Sequence, residues 1–264
     1  GSLKNTGYEL RLSAYVLRKD QMSWSVSLAG IHNKNKIVEV SQALLDAQNA
    51  IESEDLVNPN VQFRPGYSSN TIWTVRSAGI DPGTGKEVFI SRDGNRTYNW
   101  SASDIVATGV SDPKLEGNIS SMFRYKGLSL NVSFGYRFGG QIYNSTLANK
   151  VEVSKTAIGW NVDARVFHDR WKNIGDRASF KGLDDFTPTN KTSRFVQDET
   201  TFRCQNMTLQ YELKSQALNK LLGIDYCLFS ASTSDLFYIS TVKRERGTSY
   251  PFSRQFSLGV NVVF

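Results

Sequence analysis

Strict period-two alternation over residues 128–140, LSLNVSFGYRFGG, constrains this chain more than any other feature. Leu128, Leu130, Val132, Phe134, Tyr136 and Phe138 fall on one face, and Ser129, Asn131, Ser133, Gly135 and Arg137 on the other. Only an extended strand separates residues this way. Just upstream, Ile119, Ser121, Phe123 and Tyr125 alternate with Ser120, Met122 and Arg124, and Lys126-Gly127 joins the two runs as a tight turn, so the pair predicts a long hairpin.

The design recurs. Tyr8, Leu10, Leu12, Ala14 and Val16 form a run that turns at Arg18 to Asp20 into Trp24, Val26 and Leu28. A third hairpin pairs Met207, Leu209, Tyr211 and Leu213 with Ile224, Tyr226 and Leu228 across residues 214–223, which have room for one helical turn. The chain closes on FSRQFSLGVNVVF, with Phe252, Phe256, Leu258, Val260, Val262 and Phe264 on one face. The expected total is about seven strands. Connections inside hairpins are brief, whereas those between hairpins span residues 34–116, 141–199 and 236–250. Short turns at one end and long loops at the other are the asymmetry of an outer-membrane barrel.

Composition bears on which β architecture is meant. Hydrophobic residues make up 39% of the chain, too few to give every strand a second apolar layer. If the Leu/Val/Phe/Tyr rows face lipid and the Ser/Asn/Gly/Arg rows line a wet lumen, both faces are satisfied in one layer. Trp24, Tyr125, Tyr136, Phe138, Tyr211 and Phe264 then serve as interfacial girdles. Leu258, Val260, Val262 and Phe264 look like the alternating, Phe-terminated ending that outer-membrane assembly machinery reads, and are expected to act as that signal. The rival architecture is a soluble β-sandwich acting as a carbohydrate-binding or adhesin-like protein. No apolar run is long enough for a transmembrane helix.

Within the long connections, Ile37, Val40, Leu44, Ala47 and Ile51 have helical spacing and predict a short helix over 37–51. Residues 81–94, DPGTGKEVFISRDG, read as tight hairpin turns, with calcium binding as the sharper alternative although the spacing of a known calcium loop is missing.

Catalytic and metal chemistry find little support. The two histidines, His32 and His168, are far apart, no nucleophile elbow or phosphate-cradling loop occurs, and the Asp184-Asp185 pair reads as solvated turn. Neither a metal nor a cofactor is expected, nor enzymatic activity. The net charge of +6 comes from scattered residues without a dense basic stripe, so nucleic acid is not an expected partner. Cys204 and Cys227 are expected to be free thiols, and the first twenty residues carry charges throughout, unlike a signal peptide.

The stretch GNISSMFRYKGLSLNVSFGYRFGGQIYN (117–144) resembles the signature near the end of the barrel in the SusC/RagA family of TonB-dependent transporters. Further matches in family order are residues 1–10, 71–89, 161–176, 194–213 and 250–264. Ile174 departs from the pattern where the family usually has proline, and Ser232-Thr233 where it often has Gln-Asn. The resemblance implies an antiparallel transmembrane β-barrel segment, residues 1–264 being the C-terminal part of a 22-stranded barrel whose plug and N-terminal domains lie outside this sequence. It implies import of oligosaccharides or peptides across a bacterial outer membrane. The implied partners are the remaining barrel and plug, a SusD-like surface lipoprotein acting as a lid, TonB-ExbB-ExbD acting through the plug, and outer-membrane lipid. Trp73, Arg76, Tyr143 and Trp171 are the loop residues expected near substrate or lid.

Overall fold

The structure, a computed structural model, describes residues 1–51, 57–153, 155–244 and 253–264. In chain order its elements are β1 (Ser2–Lys19), β2 (Met22–Glu39), α1 (Gln42–Ile51), β3 (Thr71–Ile80), β4 (Glu87–Ile90), β5 (Arg96–Thr97), β6 (Ile105–Val110), β7 (Leu115–Tyr125), β8 (Leu128–Tyr143), β9 (Val196–Leu213), α2 (Gln216–Leu222), β10 (Tyr226–Ser234), β11 (Tyr238–Ser240) and β12 (Gln255–Val263). Seven strands make one antiparallel meander in the order β1-β2-β7-β8-β9-β10-β12, with the short β11 added beside β9. Neighbours in the sheet are thus neighbours in sequence. The connections that turn at one end are short, at Asp20-Gln21 and Lys126-Gly127, or hold the single helix α2. Those at the other end run through residues 40–114, 144–195 and 235–254.

Register places the apolar residues in continuous rows across the sheet. One row reads Leu12, Leu28, Ile119, Phe134 and Cys204, and another Trp24, Phe123, Leu130, Leu209, Ala231 and Leu258. The opposite face carries the row Ser13, Ser27, Ser120, Ser133 and Asn206, where Ser13 and Ser27 share a 2.9 Å hydrogen bond. Among the described residues no second sheet covers the apolar rows: Leu10 and Leu12 are each 55% exposed and Leu258 is 87% exposed. A β-sandwich would bury these side chains, so the soluble alternative is not supported. The outer face is held sideways by its own contacts, as where Phe134 stacks on Phe202 at 5.4 Å.

Two expectations need correction. In β10 the outward residues are Cys227, Phe229, Ala231 and Thr233, because Leu213 pairs with Cys227 and Tyr211 with Phe229; Tyr226 and Leu228 face the polar side. The misreading is a slip of one residue, which in a strand inverts both faces. The helix expected over 37–51 begins only at Gln42, since β2 continues to Glu39 and Ile37, 3% exposed, hydrogen-bonds as strand through its N–H to Tyr67 O. Phe252, placed at the head of the closing run, lies outside the described residues.

The apolar cores lie above the sheet, in a cap built from the two longest connections. The first connection forms a second sheet, β5-β4-β3-β6, around Trp73, Val75, Phe89 and Ile105. The second gathers Leu147, Ala148, Val151 and Phe195, with Val57 and Tyr143 packed against them. The expected turns within 81–94 are present: Asp81 opens the β3–β4 turn and Gly94, at φ 88°, closes the β4–β5 turn.

Candidate functional site: the loop cap and the polar wall

The cap is organised by arginines whose partners are distant in sequence. Arg194 forks onto Glu87 with Nε to Oε1 at 3.1 Å and Nη2 to Oε2 at 2.8 Å, and onto Glu152 with Nη1 to Oε2 at 2.6 Å and Nη2 to Oε1 at 2.7 Å. It also donates to Ser179 O and stacks over the Phe195 ring. Glu87 and Glu152 keep only 4% and 1% of their side-chain surface. Burial works against the charge on Arg194, but Glu152 and then Glu87 outweigh it and raise its pKa. One guanidinium therefore ties the first long connection to the second.

Arg170 performs a similar task within the second connection. Its guanidinium donates to the carbonyls of Val166, Lys181, Val151 and Val153 at 2.9, 2.8, 2.5 and 2.8 Å, closing residues 151–181 around one point. Burial pulls its pKa below the usual value. In the β3–β4 turn, the Asp81 carboxylate accepts from the Tyr98 hydroxyl, the Gly83 N–H and the Thr84 hydroxyl, and these bonds hold it below the usual carboxylate range. The Asp81 oxygens are thus taken up by donors from the chain itself.

A cleft of about 680 Å³ opens in the cap between this turn and the second connection. Phe167, Trp171 and Phe186 give it aromatic walls, and Lys86, Lys172, Asp184 and Asp185 give it charge. Phe167 and Phe186 are each 58% exposed. Trp171 is more tightly held: Nε1 donates to Pro82 O at 2.9 Å, and a Cβ on Gly85 would come within 2.5 Å of the indole. Gly85 also adopts φ 70°, so both conformation and space require glycine there.

On the polar face of the sheet, near the cap, a second cavity of about 520 Å³ is lined by Glu116, Arg137, Glu199, Arg203, Tyr238 and Arg244. Glu199 sits between Arg244 at 2.8 Å and Arg137 at 3.9 Å. If the outward rows meet lipid, this wall faces the water-filled interior.

The four loop residues expected near substrate or lid do not converge. Trp73 is 3% exposed, donates through Nε1 to Gln62 O, and lies under Arg64 at 5.0 Å and against Tyr67 at 4.9 Å. Arg76 donates to Ser91 O and Arg92 O. Tyr143 donates to Val57 O and meets Phe195 edge-on. Trp171 alone lines the cleft. Sequence reasoning did not find Arg194, Glu87, Glu152 or Arg170; the Arg194–Glu87 pair spans 107 positions, and nothing local marks such a pair. The closing residues Leu258, Val260 and Val262 lie on the outer face of β12, and Phe264 follows, 79% exposed.

A single-layer antiparallel meander with an uncovered apolar face, a polar face behind it, and structured loops at one end has the architecture of a segment of a transmembrane β-barrel. No family model matches the chain. The resemblance to SusC/RagA transporters is supported by curated relatives: the chain is 21% identical to the TonB-dependent receptor P39 of Formosa agariphila and 24% identical to the TonB-dependent receptor SusC of Bacteroides thetaiotaomicron, in both cases over 100% of its length. It spans 30% and 27% of those receptors. Among solved structures, the RagAB peptide importer in its open-open state matches with a TM-score of 0.76 and 20% identity, over 99% of this chain and 29% of that one.

Proposed function

We propose that this chain supplies barrel wall, polar lumen and extracellular loops to an outer-membrane, TonB-dependent importer of oligosaccharides or peptides. The observation that carries the reading is the division of one sheet into an uncovered apolar face and a serine-, asparagine- and arginine-rich face. The edges of β1 and β12 have no strand partner among the described residues, and bare edges in lipid cost several kcal/mol per unsatisfied group, on the order of what an unpaired buried amide costs. In this reading residues 1–264 are the C-terminal part of the barrel, and the rest of the barrel pairs with both edges. A plug couples the assembly to TonB-ExbB-ExbD, and a SusD-like lipoprotein covers the cap. The names of the relatives favour transport over catalysis.

Within the cap, the cleft between Phe167, Trp171 and Phe186 is the surface that meets substrate or lid, whereas Trp73, Arg76 and Tyr143 shape the fold that presents it. Aromatic rings suit the flat faces of sugars and the side chains of peptides alike. The test uses the full receptor containing this chain, expressed in its own envelope. Uptake of labelled oligosaccharide and peptide pools should depend on the receptor and on TonB, and should fall in a Phe167→Ala/Phe186→Ala variant that still reaches the outer membrane. Recovery of the native receptor in the buffer-soluble fraction would overturn the reading.

A further inference from the structure

We infer that the outer face of the sheet, at its loop end, carries a binding site for the phosphate groups of an outer-leaflet glycolipid, formed by Lys4, Lys34, Lys36 and Lys114. The inference rests on the outer-membrane placement proposed above, and goes beyond it by assigning a lipid site on the outside of the wall.

Leu28 and Gly30 stand in the apolar rows, and β2 keeps its pairing with β1 without a bulge through Lys36, so His32, Lys34 and Lys36 continue on the same outward face. Across from them on β1 are Tyr8, Thr6 and Lys4. The sequence of chemistry along this face is therefore aliphatic, then aromatic at Tyr8 and His32 with ring centroids 5.1 Å apart, then basic. An aromatic belt followed by cations is the order met on leaving hydrocarbon for headgroups. At roughly 3.3 Å per residue, Lys34 and Lys36 stand about 7 and 13 Å beyond His32 along the strand.

Local geometry gathers the cations. Beyond Ile31, β2 no longer pairs with β7, and the gap is filled by residues 66–71 and 110–114, leaving a cavity of about 390 Å³ rimmed by His32, Lys34, Lys36 and Lys114. His32 Nδ1 lies 2.7 Å from Lys114 O, and Lys114 N donates to Phe138 O, which pins the fourth lysine to the belt. The Lys114 stem lies over Gly139, where a Cβ would come within 2.9 Å of it. All four ammonium groups are exposed and none has an ion pair or side-chain hydrogen bond among the described residues.

The nearby acids do not neutralise them. Asp112, in the same rim, accepts from Ser68 and Asn70 and is turned into the loop. Glu39 stands opposite Ser2, one row farther out. Four cations against these two carboxylates leave a net positive patch at the height where the aliphatic face ends. A free substrate anion entering the lumen would not meet this patch, because the lumen is on the other side of the sheet. A lipid phosphate would.

The test uses the full receptor containing this chain, purified in detergent, with bisphosphorylated lipid A and its dephosphorylated form as probes. The native receptor should bind the phosphorylated form, and Lys34→Glu/Lys36→Glu/Lys114→Glu should weaken that binding by roughly tenfold or more, as expected from removing several cations near an anionic headgroup. Lys19→Glu/Lys126→Glu, at the turn end, should bind as the native receptor does. Dephosphorylated lipid A should bind the native receptor no better than the phosphorylated lipid binds the triple variant, and millimolar inorganic phosphate should not compete.

Native-like binding by the triple variant, equal binding of the two lipids, or full competition by inorganic phosphate would each overturn the site. Heat-modifiable migration confirms folding, and Lys→Gln at the same three positions replaces the charge reversal if that variant fails to fold. Recovery of the receptor in the outer-membrane fraction tests the placement separately, so a failure there is distinguishable from a failure of the lysine site.

Discussion

Arg194 and Glu87, 107 positions apart in sequence, form a two-point pair with Nε to Oε1 at 3.1 Å and Nη2 to Oε2 at 2.8 Å. With Glu152 on the other side of the same guanidinium, the pair makes two long connections behave as one body.

Removing that guanidinium leaves two nearly buried carboxylates without their cation. Arg194→Ala in the full receptor should destabilise the cap by about 3–5 kcal/mol, the usual cost of stranding a buried charge. Limited proteolysis should then cut within residues 57–195 at a protease concentration the native receptor resists. Arg194→Lys should fall between the two, because an ammonium cannot fork onto both carboxylates. Equal resistance of native and Ala variants would show that the cap is held elsewhere.

Asp81 gives the β3–β4 turn a pH dependence. Its folded pKa is lowered by the Tyr98 hydroxyl, then the Gly83 N–H and the Thr84 hydroxyl. A depressed carboxylate contributes stability that is fully present above the unfolded value, about 3.9, and is lost as pH falls through the lower folded value. The turn should therefore be unchanged between pH 5 and 8 and loosen only in stronger acid, seen as faster amide exchange at Gly83 and Gly85. In Asp81→Asn that acid step should vanish.

The two faces of β8 should respond oppositely to charge. Val132 is in an apolar row and its neighbour Ser133 in a polar one. Val132→Arg should cost about 2–4 kcal/mol if it lies near the bilayer midplane, whereas Ser133→Arg should cost much less, because a charge on the polar face stays in water. Folding into vesicles under a urea series reads the difference. A larger penalty at Ser133 would invert the assignment of lipid and lumen.

Tyr136 reaches over two glycines to make a contact no strand neighbour provides. Its hydroxyl donates to Ala29 O at 2.9 Å, while Cβ atoms at Gly117 and Gly30 would lie 2.7 and 2.9 Å from that hydroxyl oxygen. Tyr136→Phe should cost about 1 kcal/mol for the lost hydrogen bond. Gly117→Ala should cost more, since its Cβ would also fall 1.9 Å from Ala29 O. The temperature at which the full receptor loses heat-modifiable migration ranks the two variants, and an unaffected Gly117→Ala would contradict the close approach.

The meander was legible in the sequence because its information is local. Alternation at Leu128 to Phe138, turn residues at Lys126-Gly127 and the lengths of the connections are all properties of consecutive residues, and they predicted seven strands, short turns at one end and long loops at the other. Where that local signal was mixed, as in YCLFSAS of β10 with apolar residues at adjacent positions, only pairing with Tyr211 and Leu213 decided which face was outward. The cap obeys a different logic. Trp73 is buried where a sheet and Arg64 close over it, and Arg194 is fixed by Glu87 and Glu152, which arrive from other parts of the chain; no neighbouring residue marks either arrangement. A strand's faces follow from a backbone that repeats every two residues; a buried ion pair follows from where loops meet, and only the tertiary structure decides that.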